Sequence, residues 1–222
     1  VDVDPVTFNI DPLQIKDKIT PRTRGIIAVS LYGQCADFES INALAEEHGL
    51  WVIEDAAQAF GAEYKGRKSC NLTRVSTTSF FPAKPLGCYG DGGAVLTNDE
   101  GLAGLIRSLH VHGQAVPADL AGASFEHDPK YLNMRIGMNS RLDTIQAAIL
   151  LEKLAIFAEE IALRNAVAAR YNDKLAAHVS AVPQVAAGTI STWAQYTIEH
   201  ANRDGLRAHL QSAGVPSAVY YP

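Results

Sequence analysis

Lys84 lies in the stretch STTSFFPAKPLGCYGDGGA (76–94), between an apolar segment that ends in Phe-Phe-Pro and a glycine-rich turn. Such a setting is partly dry, and an amine that gives up its charge there becomes a nucleophile for carbonyl groups. The alternative is an exposed loop lysine whose stem covers apolar surface, and this alternative is favoured for any lysine taken alone. The neighbouring polar residues must therefore distinguish the two.

Three further polar residues follow apolar, strand-like runs. Asp55 closes WVIED (51–55), Gln58 comes within the next turn, and Ser79 precedes Lys84 by five residues in SFFPAK. In an open parallel sheet, ligands bind where the strands end at their carboxyl edge. Asp55 could equally cap a helix over AAQAFG, and Gln58 by itself indicates nothing.

The combination of these residue types meets the needs of pyridoxal phosphate. The coenzyme takes a lysine for covalent attachment, a carboxylate against its pyridinium nitrogen, and hydroxyl and N–H groups for its phosphate. The turn GDGG (90–93) lets a main chain approach a ligand closely, although a glycine turn alone is a weak signal. The sequence therefore predicts a pyridoxal phosphate site at the strand ends.

The elements that would position this site alternate between strand and helix patterns. Predicted strands are 26–32, 51–55, 75–81 and 93–99, and predicted helices are 37–49 and 100–109. Asp37 and Gly49 fit the start and stop of the first helix. Strand, helix and strand in this order predict a right-handed crossover and a buried, mainly parallel sheet flanked by helices, an α/β fold.

The second half of the chain begins with a long helical pattern over 143–179, which would span about 50 Å if unbroken. Helices of this length usually connect two domains. A strand-like run (192–200), a helix (204–214) and another strand-like run (215–221) follow. We predict part of a large domain over 1–142, a connecting helix over 143–179, and the start of a small α+β domain over 180–222.

Composition excludes several classes of protein. The 222 residues are 47% hydrophobic and 19% charged, with a net charge of −5 and scattered basic residues, which argues against a nucleic-acid partner. No apolar run approaches the roughly 20 residues of a membrane span. Cys35, Cys70 and Cys88 are an odd number without a C-x-x-C pair, so reduced cytoplasmic thiols are expected. The histidines match no metal-ligand pattern, and no metal site is expected.

Several runs resemble, in order, the nucleotide-sugar aminotransferases of the DegT–DnrJ–StrS family. They are VDVDPVTFNIDP, VIEDAAQAFGAEYKGR, TSFFPAKPLGCYGDGGAVLTND, MNSRLDTIQAAIL and GVPSAVYYP. The resemblance covers essentially the whole chain apart from the variable loop 113–135. It implies fold type I of the pyridoxal-phosphate-dependent transferases, glutamate and a keto-sugar nucleotide as substrates, and a cytoplasmic homodimer with shared active sites.

The segments SLYGQCADF, RKSCNL and FFPAKPLGCYGDGG most resemble those of family members that aminate the 3-keto group of a UDP-N-acetyl-hexosaminuronic acid. Those members serve O-antigen and related surface-sugar pathways. The family's Gly-Thr phosphate loop and its ring-stacking aromatic residue both precede the VDVDP segment. The chain is therefore expected to be a fragment that lacks its N- and C-terminal parts, with a site that is incomplete by itself.

The resemblance also implies coenzyme contacts residue by residue. Lys84 would bond covalently with the coenzyme, and Asp55 would pair with the pyridine nitrogen. Gln58 would contact the side of the ring that carries the 3-hydroxyl, and Ser79 would bind the phosphate. Asn139, in MNSRLD, would reach the phosphate of the neighbouring subunit's coenzyme; its alternative role is helix capping.

The sugar site would take two more residues. Arg141 would reach the neighbouring subunit's sugar, where a guanidinium suits a uronic carboxylate. Tyr221 would line the sugar pocket. A role as a core aromatic residue on a strand is equally compatible with the sequence. Tyr220 stands where the most similar members carry histidine, which leaves sugar specificity open.

Other functions remain possible on these residues. An aminotransferase acting on another keto-deoxysugar nucleotide is the nearest alternative. A desulfurase or β-lyase of the same fold would need a reactive cysteine, and Cys88 has no base near it in sequence. A non-catalytic sugar-nucleotide-binding module, or an inactive fragment, is the alternative of another class, although binding alone would require neither Asp55 nor Lys84.

Overall fold

The computed structural model describes residues 1–121, 128 and 131–222. Part of the variable loop predicted at 113–135, namely 122–127 and 129–130, lies outside the described residues. The strands are β1 Gly25–Val29, β2 Trp51–Asp55, β3 Glu63–Tyr64, β4 Arg67–Lys68, β5 Val75–Ser79, β6 Gly93–Thr97 and β7 Thr189–Ile190. The α-helices are α1 Pro12–Ile15, α2 Phe38–Glu47, α3 Glu100–Leu109, α4 Pro117–Leu120, α5 Thr144–Leu175 and α6 Arg203–Ser212, with 3₁₀ turns at Lys16–Lys18 and Leu31–Gly33.

The central sheet has the strand order β1-β2-β5-β6. β1 and β2 are parallel, as are β2 and β5, whereas β6 runs antiparallel to β5. The predicted α/β architecture with a mainly parallel sheet is therefore confirmed. Because Val29 lies beside Asp55, and Asp55 beside Thr77, the three parallel strands end at one common edge.

Helix α2 follows directly from its sequence. Asp37 caps its first turn by accepting a main-chain N–H, and Gly49 ends it with φ of 63°. Phe38, Ile41 and Ala45 recur at helical spacing and are buried in the core cluster that also contains residues of β1 and β2. The predicted crossover helix is confirmed, including both of its ends.

Helix α5 is a single helix of 32 residues, about 48 Å long. Leu150 and Phe157 are buried on it and belong to a second core cluster. The cluster's other buried members are Phe80, Leu86 and Cys88. Helix α5 therefore packs against the segment on either side of Lys84. The division into domains at 142 and 179 stays a prediction.

The buried carboxylate of Glu54 ties the central sheet to the turn at residues 69–72. Side chains alternate along a strand, so Glu54 faces away from the side of β2 that carries Asp55. The Glu54 oxygens accept hydrogen bonds from Ser69 Oγ at 2.6 Å, Cys70 N at 2.9 Å and Ser76 Oγ at 3.0 Å. Burial raises the pKa of the Glu54 carboxyl, and the serine hydrogen bonds offset only part of this effect.

Two of the predicted strands are wrong. Neither 192–200 nor 215–221 forms a strand, and within the first run only Glu199 makes an isolated bridge, to Ala181. The main chain of Thr192 donates instead to Gly33 O at 2.9 Å. The segment is thus bonded to a loop rather than to a neighbouring strand. The prediction of helix α6, by contrast, is confirmed: its observed bounds, Arg203–Ser212, differ from the predicted 204–214 by one or two residues at each end.

None of the helices in the described ranges is long and apolar enough to cross a membrane.

Candidate active site

Asp55 and Ser79 lie at the carboxyl edge of the central sheet, where they end the adjacent strands β2 and β5. Asp55 Oδ1 accepts a hydrogen bond from Ala57 N at 3.0 Å. Residues 56–61 form turns rather than a helix, so the helix-cap alternative for Asp55 is wrong. No described residue donates a hydrogen bond to Asp55 Oδ2, which leaves that oxygen available to a ligand.

Lys84 follows β5 on a tight turn. Its main-chain N–H donates to Phe81 O at 2.8 Å, and Phe81 N donates to Ser79 Oγ at 3.3 Å. The Lys84 side chain is half-buried, and its amine makes no hydrogen bond or ion pair with any residue the structure describes. The loop thus presents an unengaged amine just beyond the strand that ends in Ser79.

Cys88 and the glycines after Lys84 serve the packing of this loop. The thiol of Cys88 is fully buried and lies 3.0 Å from Phe80 O and 3.1 Å from Gly90 O. A Cβ placed on Gly92 would come within 3.0 Å of both Cys88 Sγ and Leu142 Cδ1. This confirms the predicted packing role of Cys88, and its burial disfavours a cysteine-based desulfurase.

Three side chains of α5 anchor the loop 85–89, and none of these contacts is predicted from the sequence. Gln146 Oε1 accepts a hydrogen bond from Tyr89 N at 2.8 Å. Lys153 and Arg164 donate to main-chain carbonyl oxygens of the same loop. The intervals between the three, seven and eleven residues, place them on one face of the helix. The sequence shows this helical spacing, although it does not identify the groups that the three residues contact.

Gln58 connects two parts of the chain that are far apart in sequence. Its buried side chain accepts a hydrogen bond from Tyr32 N at 2.6 Å through Oε1. Its Nε2 donates to Tyr221 Oη at 2.9 Å. Tyr221 is 61% exposed and lies outside any strand, so its alternative role as a core strand aromatic is wrong. The structure thus brings together the predicted coenzyme residue Gln58 and the predicted sugar residue Tyr221.

Asn139 and Arg141 lie apart from these contacts. Asn139 forms an isolated antiparallel bridge with Val111. Asp143, not Asn139, occupies the N-cap position of α5, so the capping alternative for Asn139 is wrong. The side chains of Asn139 and Arg141 are exposed and make no hydrogen bond within the described part of the chain. Their roles toward a neighbouring subunit stay predictions.

The donor set at this edge fits pyridoxal phosphate. It contains an unengaged amine on Lys84, an unengaged carboxylate oxygen on Asp55, and an amide on Gln58 whose second N–H remains available. The hydroxyl of Ser79 accepts a main-chain N–H and is free to donate its own hydrogen. These are the groups that the coenzyme's aldehyde, ring nitrogen, ring oxygen and phosphate require.

Comparison with known proteins identifies the family of the chain. The sequence model of the DegT/DnrJ/EryC1/StrS aminotransferase family matches residues 1–222. The chain belongs to this family.

Individual family members support the same assignment. The UDP-2-acetamido-2-deoxy-3-oxo-D-glucuronate aminotransferase of Pseudomonas aeruginosa is 56% identical over the whole chain, which spans 58% of that relative's length. A family aminotransferase from Brucella abortus superimposes with a TM-score of 0.90 at 47% identity, covering 100% of this chain and 58% of that one. NtdA from Bacillus subtilis, solved with bound cofactor PMP, gives a TM-score of 0.84 at 31% identity over 100% and 49% of the two chains. The predicted family and its fold are therefore confirmed.

Proposed function

We propose that the protein is a pyridoxal-phosphate-dependent aminotransferase that moves the amino group of glutamate to the 3-keto carbon of a UDP-N-acetyl-hexosaminuronic acid. One observation carries the proposal: Asp55 ends β2 with an unengaged carboxylate oxygen, and the loop after the neighbouring strand β5 carries the unengaged amine of Lys84. The chain that holds this pair is 56% identical to a UDP-2-acetamido-2-deoxy-3-oxo-D-glucuronate aminotransferase. We further propose that it acts in the cytoplasm as a homodimer and serves surface-polysaccharide synthesis.

The coenzyme, when bound, supplies an electron sink for the bond broken at the α-carbon of the amino donor. Lys84 Nζ would hold the coenzyme covalently between turnovers, and once displaced it would move the proton removed from the donor's α-carbon. Asp55 would keep a proton on the pyridine nitrogen. The second N–H of Gln58 Nε2 would donate to the ring oxygen, and Ser79 Oγ would donate to the phosphate. Glutamate would leave as 2-oxoglutarate, whose keto oxygen comes from water, and its amino group would stay on the coenzyme until the keto sugar takes it up and releases that water.

The sugar site draws on residues that are exposed in a single chain. Arg141 offers a guanidinium, which matches a uronic carboxylate in bidentate geometry. Tyr221 offers a hydroxyl beside Gln58. Another keto-deoxysugar nucleotide remains the alternative substrate, because the family resemblance leads us to expect histidine at position 220, where this chain has Tyr220.

The experiment compares full-length wild type with Lys84→Ala, using Lys18→Ala on the exposed surface as the matched control. Borohydride reduction followed by peptide mass spectrometry should place the coenzyme on the Lys84 peptide in wild type and Lys18→Ala only. Turnover with glutamate should fall at least 100-fold in Lys84→Ala, in line with about 10²–10⁴ for loss of a general acid–base. A coloured, active Lys84→Ala protein would overturn the proposal.

Substrate choice is tested by the second half-reaction. After treatment with glutamate, the protein is mixed with UDP-linked 3-keto sugars that either carry or lack the C6 carboxylate, and product masses are compared. We expect faster amination of the uronic acid, and Arg141→Lys should reduce that preference because its ammonium cannot pair in bidentate fashion. A wild-type protein that binds the sugars but never reacts with glutamate would indicate a non-catalytic binding module.

A further inference from the structure

The loop 31–35, which follows β1, is held by buried side-chain amides. Asn9 is 3% exposed, and its Oδ1 accepts Leu31 N at 2.8 Å. Asn9 Nδ2 donates to Gln34 O at 3.1 Å and Cys35 O at 3.2 Å. A single side chain therefore bonds three main-chain groups of the loop, which leaves little freedom for the residues between them.

The same loop is bonded from the other side by the segment after α5. Gln34 Nε2 donates to Gln184 O at 3.2 Å, and Gln34 Oε1 accepts Ala186 N at 2.6 Å. A Cβ on Gly33, whose φ is 107°, would come within 2.5 Å of Trp193 N. The loop is thus in direct contact with a segment about 150 positions later in the chain, through the side chain of Gln34 and through the close approach of Gly33 to Trp193.

Tyr32, inside this loop, has a left-handed backbone with φ of 58° and ψ of 4°. Its N–H donates to Gln58 Oε1 at 2.6 Å, and its hydroxyl donates to Tyr220 O at 2.5 Å. Its ring packs edge-to-face on Phe8 with centroids 5.8 Å apart. Burial, followed by the nearby Tyr221, raises the pKa of Tyr32, so its hydroxyl stays protonated and able to donate at neutral pH.

The main-chain N–H of Tyr32 sets the direction of a chain of hydrogen bonds. An N–H can only donate, so the group of Gln58 that faces it must be the amide oxygen. The Gln58 NH₂ then faces Tyr221 and donates to its hydroxyl oxygen. The hydroxyl hydrogen of Tyr221 must consequently point elsewhere and is available to an acceptor on a ligand.

We propose that Tyr32 is a positioning residue for sugar-nucleotide specificity. Its hydroxyl holds the main chain at 220 and its N–H orients Gln58, so that Tyr221 donates a hydrogen bond to an acceptor oxygen of the sugar. This inference rests on the proposed function and deepens it: the preferred sugar presents an acceptor, such as a keto or carboxylate oxygen, toward Tyr221.

Tyr32→Phe tests the inference because it removes the hydroxyl and keeps the N–H bonded to Gln58. Tyr171→Phe is the matched control, since Tyr171 lies on α5 and its ring packs on Tyr196. In the full-length holoenzyme we measure by calorimetry the Kd of UDP-N-acetylglucosaminuronic acid, which carries a carboxylate acceptor. This measurement needs no turnover. We also measure KM and kcat with the keto sugar, the glutamate half-reaction, and thermal unfolding.

For Tyr32→Phe, we expect the Kd and the KM to rise about 3- to 10-fold, the effect of one lost hydrogen bond. The kcat and the glutamate half-reaction should stay within about twofold of wild type, and Tyr171→Phe should change neither Kd nor KM. An unchanged Kd and KM would overturn the inference. The inference would also be overturned if the rate of the glutamate half-reaction fell by the same factor as sugar binding and the melting temperature fell as well. Tyr32 would then be a stabilising residue only.

The two proposals fail in different ways. A wild-type protein that does not react with glutamate contradicts the proposed function, whereas the calorimetric comparison still decides the role of Tyr32. The inference alone is contradicted if wild type reacts with glutamate and Tyr32→Phe binds the sugar nucleotide as tightly as wild type does.

Discussion

Gln58 Nε2 donates a hydrogen bond to Tyr221 Oη at 2.9 Å, although the two residues are 163 positions apart. The contact joins the turn after β2 to the segment after α6. A residue predicted to touch the coenzyme and a residue predicted to touch the sugar are therefore directly bonded. The two side chains should consequently contribute jointly, rather than independently, to the binding of the sugar nucleotide.

This coupling can be measured with Gln58→Leu, Tyr221→Phe and the double variant. Each single change should weaken binding of UDP-N-acetylglucosamine, and the double variant should lose less than the sum. We expect a coupling energy of about 0.5–1.5 kcal/mol, the usual net contribution of a hydrogen bond. Calorimetric Kd values for the four proteins check this. Strict additivity would show that the two side chains act independently.

The buried carboxyl of Glu54 predicts a specific dependence of stability on pH. Burial raises its pKa above the ordinary 4.5, so the unfolded carboxyl ionises first as the pH rises. The folded state then holds more protons, and the free energy of unfolding falls through this window. In Glu54→Gln the side chain does not titrate, so the stability advantage of wild type over the variant should shrink as the pH rises above about 4.5.

Urea unfolding at pH values from 4.5 to 8 measures this difference, with Glu46→Gln on the exposed surface of α2 as the matched control. Glu54→Gln should also be less stable by about 1–3 kcal/mol, because its NH₂ replaces an oxygen that accepts buried hydrogen bonds. An advantage of wild type that grows with pH would contradict the raised pKa.

The cysteines should be inert in the folded protein. Burial, followed by the charge of Glu54, raises the pKa of the Cys35 thiol to about 12, and the same causes raise that of Cys70 to about 12. Cys88 is fully buried. Iodoacetamide at pH 8 should label none of the three peptides in native protein within minutes, and all three in urea. Rapid labelling of Cys35 or Cys70 in the native protein would contradict this prediction, because it would show that the reagent reaches a reactive thiolate there.

Gly87 should be intolerant of any side chain. A Cβ there would lie 2.6 Å from Pro82 O and 2.7 Å from Phe81 O, both in the turn that carries Lys84. Gly87→Ala should therefore cost about 1–3 kcal/mol of unfolding free energy and weaken coenzyme binding. Gly104→Ala, in α3 with no atom within 4 Å of the added methyl group, should instead add about 0.5–1 kcal/mol. Equal effects in urea unfolding would contradict this contrast.

Local signals account for the parts of the fold that sequence predicts well. The cap at Asp37, the stop at Gly49 and the helical spacing of Ile41 and Ala45 specify α2 without reference to distant residues. Parallel pairing then places Asp55 and Ser79 at a common edge, because strands joined by crossovers end on the same side. The candidate site could therefore be located before any contact was known.

Contacts between distant segments account for what sequence did not predict. The run from Thr192 to His200 has strand-like composition, yet its backbone bonds the loop at Gly33, and nothing local to the run specifies that partner. The orientation of Gln58 likewise depends on Tyr32, whose left-handed backbone is held by Asn9. Individual contacts between distant residues decide these features, and such contacts leave no periodic pattern in the sequence.

The row formed by Gln146, Lys153 and Arg164 makes the loop of Lys84 dependent on the rotational phase of one helix. Each residue of an α-helix turns about 100°, so a single-residue insertion between Gln146 and Arg164 would swing at least one of these contacts away from the loop. The helix itself would survive such an insertion. The loop that carries Lys84, however, would lose part of its support, so the position of this lysine depends on a helix whose three contacting side chains hold only the main chain of the loop.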